Sequence, residues 1–191
     1  MANKFREVAP VRNCKKTYVD YTSFKPHLAK DFNARCGYTD CSHLWFGGRN
    51  NFHIDHFIPW KNYPAKPNLK TDYSNLVYSC SYVNILKSND EGDYIDPCDI
   101  DFNLHFERDK SGNILPLATS KEANYMYKKL KLYMKRYQII WMLDNLLEKM
   151  GKVKLLIEAE KDPDLKNDLL ITQGELGNHM VEYFAYLKME Q

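Results

Sequence analysis

Nowhere in its 191 residues does the chain carry an apolar run near the ~20 residues that a bilayer span requires. The opening MANKFREVAP also lacks the apolar h-region of a secretory signal, so a cytoplasmic protein with no membrane role is expected. Five cysteines, an odd number without a secretory signal, argue against a disulfide framework and for reduced thiols. There is no P-loop, Gly-rich dinucleotide motif, EF-hand spacing, internal repeat or low-complexity tract. These gaps exclude the commonest nucleotide and calcium devices. What remains is 44% hydrophobic and 27% charged, enough for a real core in one domain with an appendage, or in two small domains.

Net charge is only +2, but its distribution is uneven. Residues 1–35 hold eight Lys/Arg against Glu7, Asp20 and Asp31, whereas residues 89–109 hold eight acids against Arg108. Such separation points to oriented faces. The basic N-terminal stretch reads either as an arm packed over the core or as a phosphate-contacting arm. Fourteen tyrosines belong mostly to core or interface, with a few free to stack on bases.

The informative stretch is FHIDHFIPWKNYPAKPNLKTDYSNLVYSCSYVNILKS, residues 52–88. Phe52, Ile54, His56 and Ile58 alternate with His53, Asp55 and Phe57 until Pro59 ends the run, the pattern of a strand. Alternation places His53 on the side of Asp55, and His56 on the other, so Asp55 and His56 share one centre only if the strand is irregular. A Pro- and Lys-containing loop follows, and its Lys61, Lys66 and Lys70 read as solvated or as phosphate contacts. Asn75 to Tyr78 makes a second strand, and residues 79–87 a helix capped by Ser79 or Ser81.

Asp55-His56, then Asn75-Leu76, then Cys80-x-x-x-Asn84-x-x-Lys87 resembles an HNH endonuclease motif on a ββα-metal fold, over roughly residues 36–87. The resemblance implies that His56 is the general base and Asp55 a metal ligand. It implies further that Asn75 ties down the loop and orients the base, that Asn84 is the second ligand, and that Lys87 lies near the scissile phosphate. Many members also hold a structural zinc between two Cys-x-x-Cys pairs. Here Thr39 and Val83 replace one cysteine of each pair. Cys36, Cys41 and Cys80 would be the zinc ligands, completed by His43, His53 or Cys98; buried thiols acting as small hydrophobes are the preferred reading.

The residue types suit phosphodiester hydrolysis without the family name. A neutral His, with an ordinary pKa near ~6.5, can take a proton from water at neutral pH. A carboxylate and an amide oxygen favour Mg²⁺ or Mn²⁺ and leave room for water and phosphate.

Elsewhere the expectations are coarser. A short helix covers residues 24–32 from Ser23, with Pro26 in its first turn. Residues 89–118 read as a solvated acidic loop, with His105 hydrogen-bonded to it, and then a hairpin around Asp109–Asn113. One helix runs from a Ser120 cap to Met150 with Gly151 as its stop, and a second spans residues 163–189, weakened at Gly174 and Gly177. Lys128, Lys131, Lys135 and Arg136 fall on the polar face of the first and suit DNA phosphates.

The expected fold is therefore α+β: a ββα core, a hairpin and a helical C-terminal part, divided as 1–118 and 119–191. The expected function is metal-dependent DNA cleavage in bacterial defence or restriction, in a homodimer if both strands are cut. Against it stands a catalytically silent or partner-gated nucleic-acid-binding subunit. Some relatives work beside an ATPase, and the C-terminal helices would then dock that partner.

Overall fold

The computed structural model describes residues 3–189. Their order is β1 (Asn3–Lys4), α1 (Lys25–Asp31), β2 (Phe52–His56), β3 (Leu76–Cys80), α2 (Ser81–Lys87), β4 (Phe106–Arg108), β5 (Ile114–Pro116), α3 (Lys121–Lys129), α4 (Lys135–Ala159) and α5 (Pro163–Met189). The fold is α+β. Two compact units divide between Tyr137 and Gln138, inside α4, whereas the sequence reading drew the boundary at 118/119.

Two small antiparallel sheets frame the first unit. One has the order β1-β4-β5; the other pairs β2 with β3, Asp55 opposite Val77 and His56 opposite Leu76. The β4–β5 turn works because Asp109 accepts from the amides of Ser111 and Asn113, while Gly112 takes a left-handed φ of 87°. β3 is buried along its whole length, so its LVYSC sequence needs no alternation. α2 follows it directly from Cys80, without the serine side-chain cap anticipated. Before α1, Asp20 rather than Ser23 caps the entry turn, by accepting from the Thr22 amide.

The N-terminal arm is packed at its arginines. Arg6 donates to the Gly37 carbonyl at 2.6 Å, and Arg12 pairs with Asp96 at 2.9 Å. Arg108 is fully buried and donates to the carbonyls of Phe5, Thr39 and Gly112. Phe5 lies against its guanidinium and packs with Phe102 and Phe106, all three ring centroids 5.5 Å apart. Lys15 and Lys16 stay exposed.

The acidic stretch is solvated only in part: Asp93, Asp99 and Asp101 are exposed, but two other acids are not. Asp96 is buried on Arg12, Ile95 is buried, and Asp90 accepts from the hydroxyls of Tyr94 and Tyr125. A side chain at Gly92 would collide with the Tyr125 ring, so glycine there lets the segment lie against α3. His105 bonds the hydroxyl of Ser120, the α3 cap, at 2.7 Å, rather than an acid.

The long helix expected from residue 120 is two. Leu130 and Leu132 are both fully buried although they lie two residues apart. A continuous helix would turn them about 200° from each other. Lys131, at a left-handed φ of 50°, breaks the helix so that both point inward. In the second unit, α4 runs through Gly151, and α5 through Gly174 and Gly177. One glycine costs about 1 kcal/mol in a helix, and many good helix formers on either side outweigh it.

Candidate active site

The site is built on β2, β3 and α2. Pleating turns His53 and Asp55 toward α2, and the helix answers with residues one turn apart: Asn84 meets His53, and Lys87 meets Asp55. His56 faces the other way.

His56 is half-buried, and its Nε2 lies 2.9 Å from the carbonyl oxygen of Lys70. A carbonyl only accepts, so Nε2 carries the hydrogen and Nδ1 keeps its lone pair. Burial pushes the imidazole below its ordinary pKa; the Lys70 carbonyl pulls it back up, and Lys87, Lys70 and Lys61 add to the lowering. His56 is thereby a neutral base with one nitrogen anchored and one available. The rings of Tyr21 and Trp60 lie around it at 4.8 and 6.3 Å between centroids.

Asn75 sets the position of that Lys70 carbonyl. Its Oδ1 accepts from the Ile58 amide at 2.8 Å, and its Nδ2 donates to the carbonyls of Ile58 and Leu69, each at 2.9 Å. One buried side chain thus closes both ends of the loop carrying Lys61, Lys66 and Lys70.

Asp55 is placed otherwise than the resemblance implied. Its side chain is 3% exposed, and its carboxylate takes a hydrogen bond of 2.6 Å from the Tyr38 hydroxyl and an ion pair of 3.2 Å from Lys87 Nζ. Burial lifts Asp55 to about 6, against the pull of Lys87 and Tyr38. Lys87 is completely buried and spends its remaining donors on the carbonyls of His56 (2.9 Å) and Phe57 (3.1 Å). It is therefore a clamp on the end of β2, with its donors engaged inside the protein. The carboxylate of Asp55 is closed over by that clamp.

On the same face, His53 Nδ1 lies 3.2 Å from the amide nitrogen of Asn84, with His53 exposed and Asn84 half-buried. Turning that amide over would set its oxygen there instead. Two ligands of one octahedral ion at about 2.1 Å stand roughly 3 Å apart, so this pair has the spacing and donor types to hold a divalent cation.

Cys36, Cys41 and Cys80 are buried, but among the described residues no three or more His, Cys, Asp or Glu side chains are arranged to hold a metal. His43 turns to the Tyr78 hydroxyl at 2.8 Å, and Thr39 and Val83 fill the places of the missing cysteines as buried residues. Among the described residues these three cysteines are buried free thiols.

Lys128, Lys131, Lys135 and Arg136 do not share a helix face. They span the end of α3, the left-handed turn and the start of α4. Arg136 lines an open cavity of about 460 Å³ with Trp45, Asn50, Asn51, His53 and Ser81. Sequence reasoning missed the Lys70 carbonyl, Tyr38, Tyr21 and Trp60. The carbonyl has no sequence signal; Tyr38 and Trp60 lie within the matching stretch but at none of its signature positions, and Tyr21 lies upstream of it.

A half-buried histidine with one anchored ring nitrogen thus sits on one side of an antiparallel ββα unit, and His53 with the helix residue Asn84 on the other. Residues 34–90 match the family model for HNH endonuclease, so the chain carries an HNH endonuclease domain over that segment. No curated protein and no solved structure matches the chain. No helix among the described residues is long and apolar enough to cross a membrane.

Proposed function

We propose that this protein hydrolyses DNA phosphodiester bonds, with His56 as the general base. The observation that carries the reading is the anchored tautomer: Nε2–H is held by Lys70, and Nδ1 is left to accept a proton. A water gives its proton to Nδ1 as its oxygen bonds to phosphorus. The bond from phosphorus to the 3′ oxygen breaks, and that oxygen takes up a proton. A 5′-phosphate and a 3′-hydroxyl result. Lys87 and Asn75 act as positioning residues, one on the His56 carbonyl and the other through the loop that ends at Lys70.

HNH nucleases generally use a divalent metal, and on this chain Asn84 and His53 are the residues that would hold it. A bound ion would supply positive charge against the phosphate oxygens. A ring nitrogen in the donor set favours Mn²⁺ over Mg²⁺. Asp55 does not fit as a ligand while Lys87 closes it.

The test is nicking of supercoiled plasmid with Mn²⁺ or Mg²⁺. His56→Ala is expected to lose roughly 10²–10⁴ in rate, the usual worth of a general base, with an unchanged melting temperature. Cleavage by the variant at the wild-type rate would rule His56 out.

A partner-gated subunit is the second reading. It draws support from Leu155, Leu156, Leu165, Leu170, Ile171 and Val181 of α4 and α5, each more than half exposed. Under it, the purified chain alone leaves plasmid intact and cleaves once a partner, such as an ATPase, is added.

A further inference from the structure

The surroundings of His56 are unlike those needed to hold a regular duplex by its phosphates. Tyr21 and Trp60 are half-buried, with one ring edge-on to the imidazole at 4.8 Å and the other at 6.3 Å. Neither the Tyr21 hydroxyl nor the Trp60 indole N–H makes a hydrogen bond to another described residue. The ammonium groups of Lys70 and Lys61 lie 5.1 and 6.0 Å from the Trp60 ring, and that of Lys66 lies 5.4 Å from the Tyr63 ring. All three lysines are exposed on the loop that Asn75 pins.

The nearby acids are already engaged. Asp20 accepts from the Thr22 amide and hydroxyl, Asp72 from the Ser74 amide and hydroxyl, and Glu91 from Asn62 and the Tyr63 hydroxyl. Cations and aromatic faces therefore interleave beside the base. Paired bases stack on one another inside a duplex and offer only their edges, so aromatic faces next to the reacting phosphate have nothing to stack on. An unpaired strand presents a base face at every nucleotide, and aromatic platforms with a basic track are the general means of holding one.

Building on the nuclease reading, we propose that His56 works on an unpaired strand. Bases flanking the scissile phosphate stack on Tyr21 and Trp60, and Lys61, Lys66 and Lys70 hold the backbone phosphates. The substrate class is a single-stranded nucleic acid or an unpaired segment within a longer one.

Fluorescence anisotropy tests this with the full chain carrying His56→Ala and labelled 20-nucleotide probes: single-stranded DNA, single-stranded RNA, and duplex DNA of the same sequence. At least one single strand is expected to bind about tenfold or more tightly than the duplex, and the DNA and RNA arms tell which sugar is preferred. Adding Trp60→Ala or Tyr21→Ala should cost about tenfold or more on the single strand and little on the duplex, with Trp60→Phe restoring most of the loss. Replacing Lys61, Lys66 and Lys70 together with alanine should weaken every probe and lower the single-strand salt slope by about 2. Equal affinity for duplex and single strands, or equal losses on both from the aromatic variants, would overturn the proposal. Plasmid nicking by the wild type is a separate readout. Single-strand preference without any cleavage would overturn the catalytic role of His56 on that strand, and with it the nuclease reading, while the aromatic and lysine binding track would stand.

Discussion

Replacing Lys87 with methionine keeps a flexible, unbranched side chain, one heavy atom shorter, and removes its charge and donors. Lys87 is 0% and Asp55 3% exposed at the side chain, so the pair sits in a low dielectric with its charges balanced. Without the ammonium, the carboxylate keeps only the Tyr38 hydroxyl, and the carbonyls of His56 and Phe57 each lose a donor. Removing one partner of a buried pair costs about 3–5 kcal/mol. Asp55→Asn together with Lys87→Met should cost clearly less than the sum of the single changes, since no lone charge remains. The penalty falls on the ionised carboxylate, so it has a pH sign. Asp55 sits at about 6 with Lys87 in place, above its ordinary 3.8, and loss of the cation moves it further up. The folded variant therefore holds a proton that the unfolded chain releases, and its deficit relative to wild type should shrink as pH falls from 8 toward 5. Urea unfolding followed by tryptophan fluorescence measures this, because Trp45 and Trp60 report the first compact unit. A cost below about 1 kcal/mol, or a deficit that grows in acid, would refute the clamp.

Three further outcomes follow from the same geometry. Because burial lowers the His56 pKa, the acid limb of the cleavage-rate profile should lie below pH 6.5, with activity lost as pH falls through it; a limb at or above 6.5 would contradict the half-buried, anchored base. Asn84→Ala should weaken Mn²⁺ binding in titration calorimetry about tenfold, whereas Asp55→Asn should leave it within about twofold and lower the melting temperature; loss of Mn²⁺ binding in Asp55→Asn would show that the carboxylate opens to a metal. With no zinc site formed by the described cysteines, EDTA should shift the melting temperature of the protein as purified by less than about 2 °C; loss of the folded state on chelation would restore a structural metal.

The ββα core was legible because its signals are local. Alternation from Phe52, the stop at Pro59 and the apolar run after Asn75 each act within a few residues, and alternation already put His53 with Asp55 on the side away from His56. What it left open was which side of β2 the helix covers. Asn84 and Lys87 share a helix face by spacing, but whether that face shelters a carboxylate or exposes one depends on Tyr38, from a turn 17 residues upstream of Asp55. The α3–α4 break was hidden for a related reason. A single helix from the Ser120 cap to Met150, turning 100° per residue, points Leu130 and Leu132 to different sides. Burial of both is a demand of the core, and it overrode the helical preference of a Lys-rich segment. The acidic stretch misled in part because all its charge was read as solvated, when Asp96 had Arg12 and Asp90 had Tyr125 as partners far along the chain.

The knuckle at Cys36–Cys41 is fastened to the rest of the unit by bonds other than metal ligation. A zinc ion would tie this turn to the start of α2 by bonds to four side chains. With Thr39 and Val83 at two of those places, the tie runs through the backbone. Gly37 donates its amide to the Tyr78 carbonyl at 2.8 Å, fastening the turn to β3, while Arg6 and Arg108 reach back to the carbonyls of Gly37 and Thr39 at 2.6 and 2.8 Å. Both arginines come from elements outside the ββα motif, the segment after β1 and the strand β4, so the motif is not self-sufficient here. Burying two guanidinium groups is costly, and each is offset by charge-assisted bonds to carbonyls and by an aromatic face, Phe102 at 4.3 Å for Arg6 and Phe5 at 5.2 Å for Arg108. The β1–β4–β5 sheet is in this sense part of the active-site scaffold. It holds the turn that places Tyr38, Tyr38 holds Asp55, and Asp55 holds the lysine that fixes the carbonyl of His56.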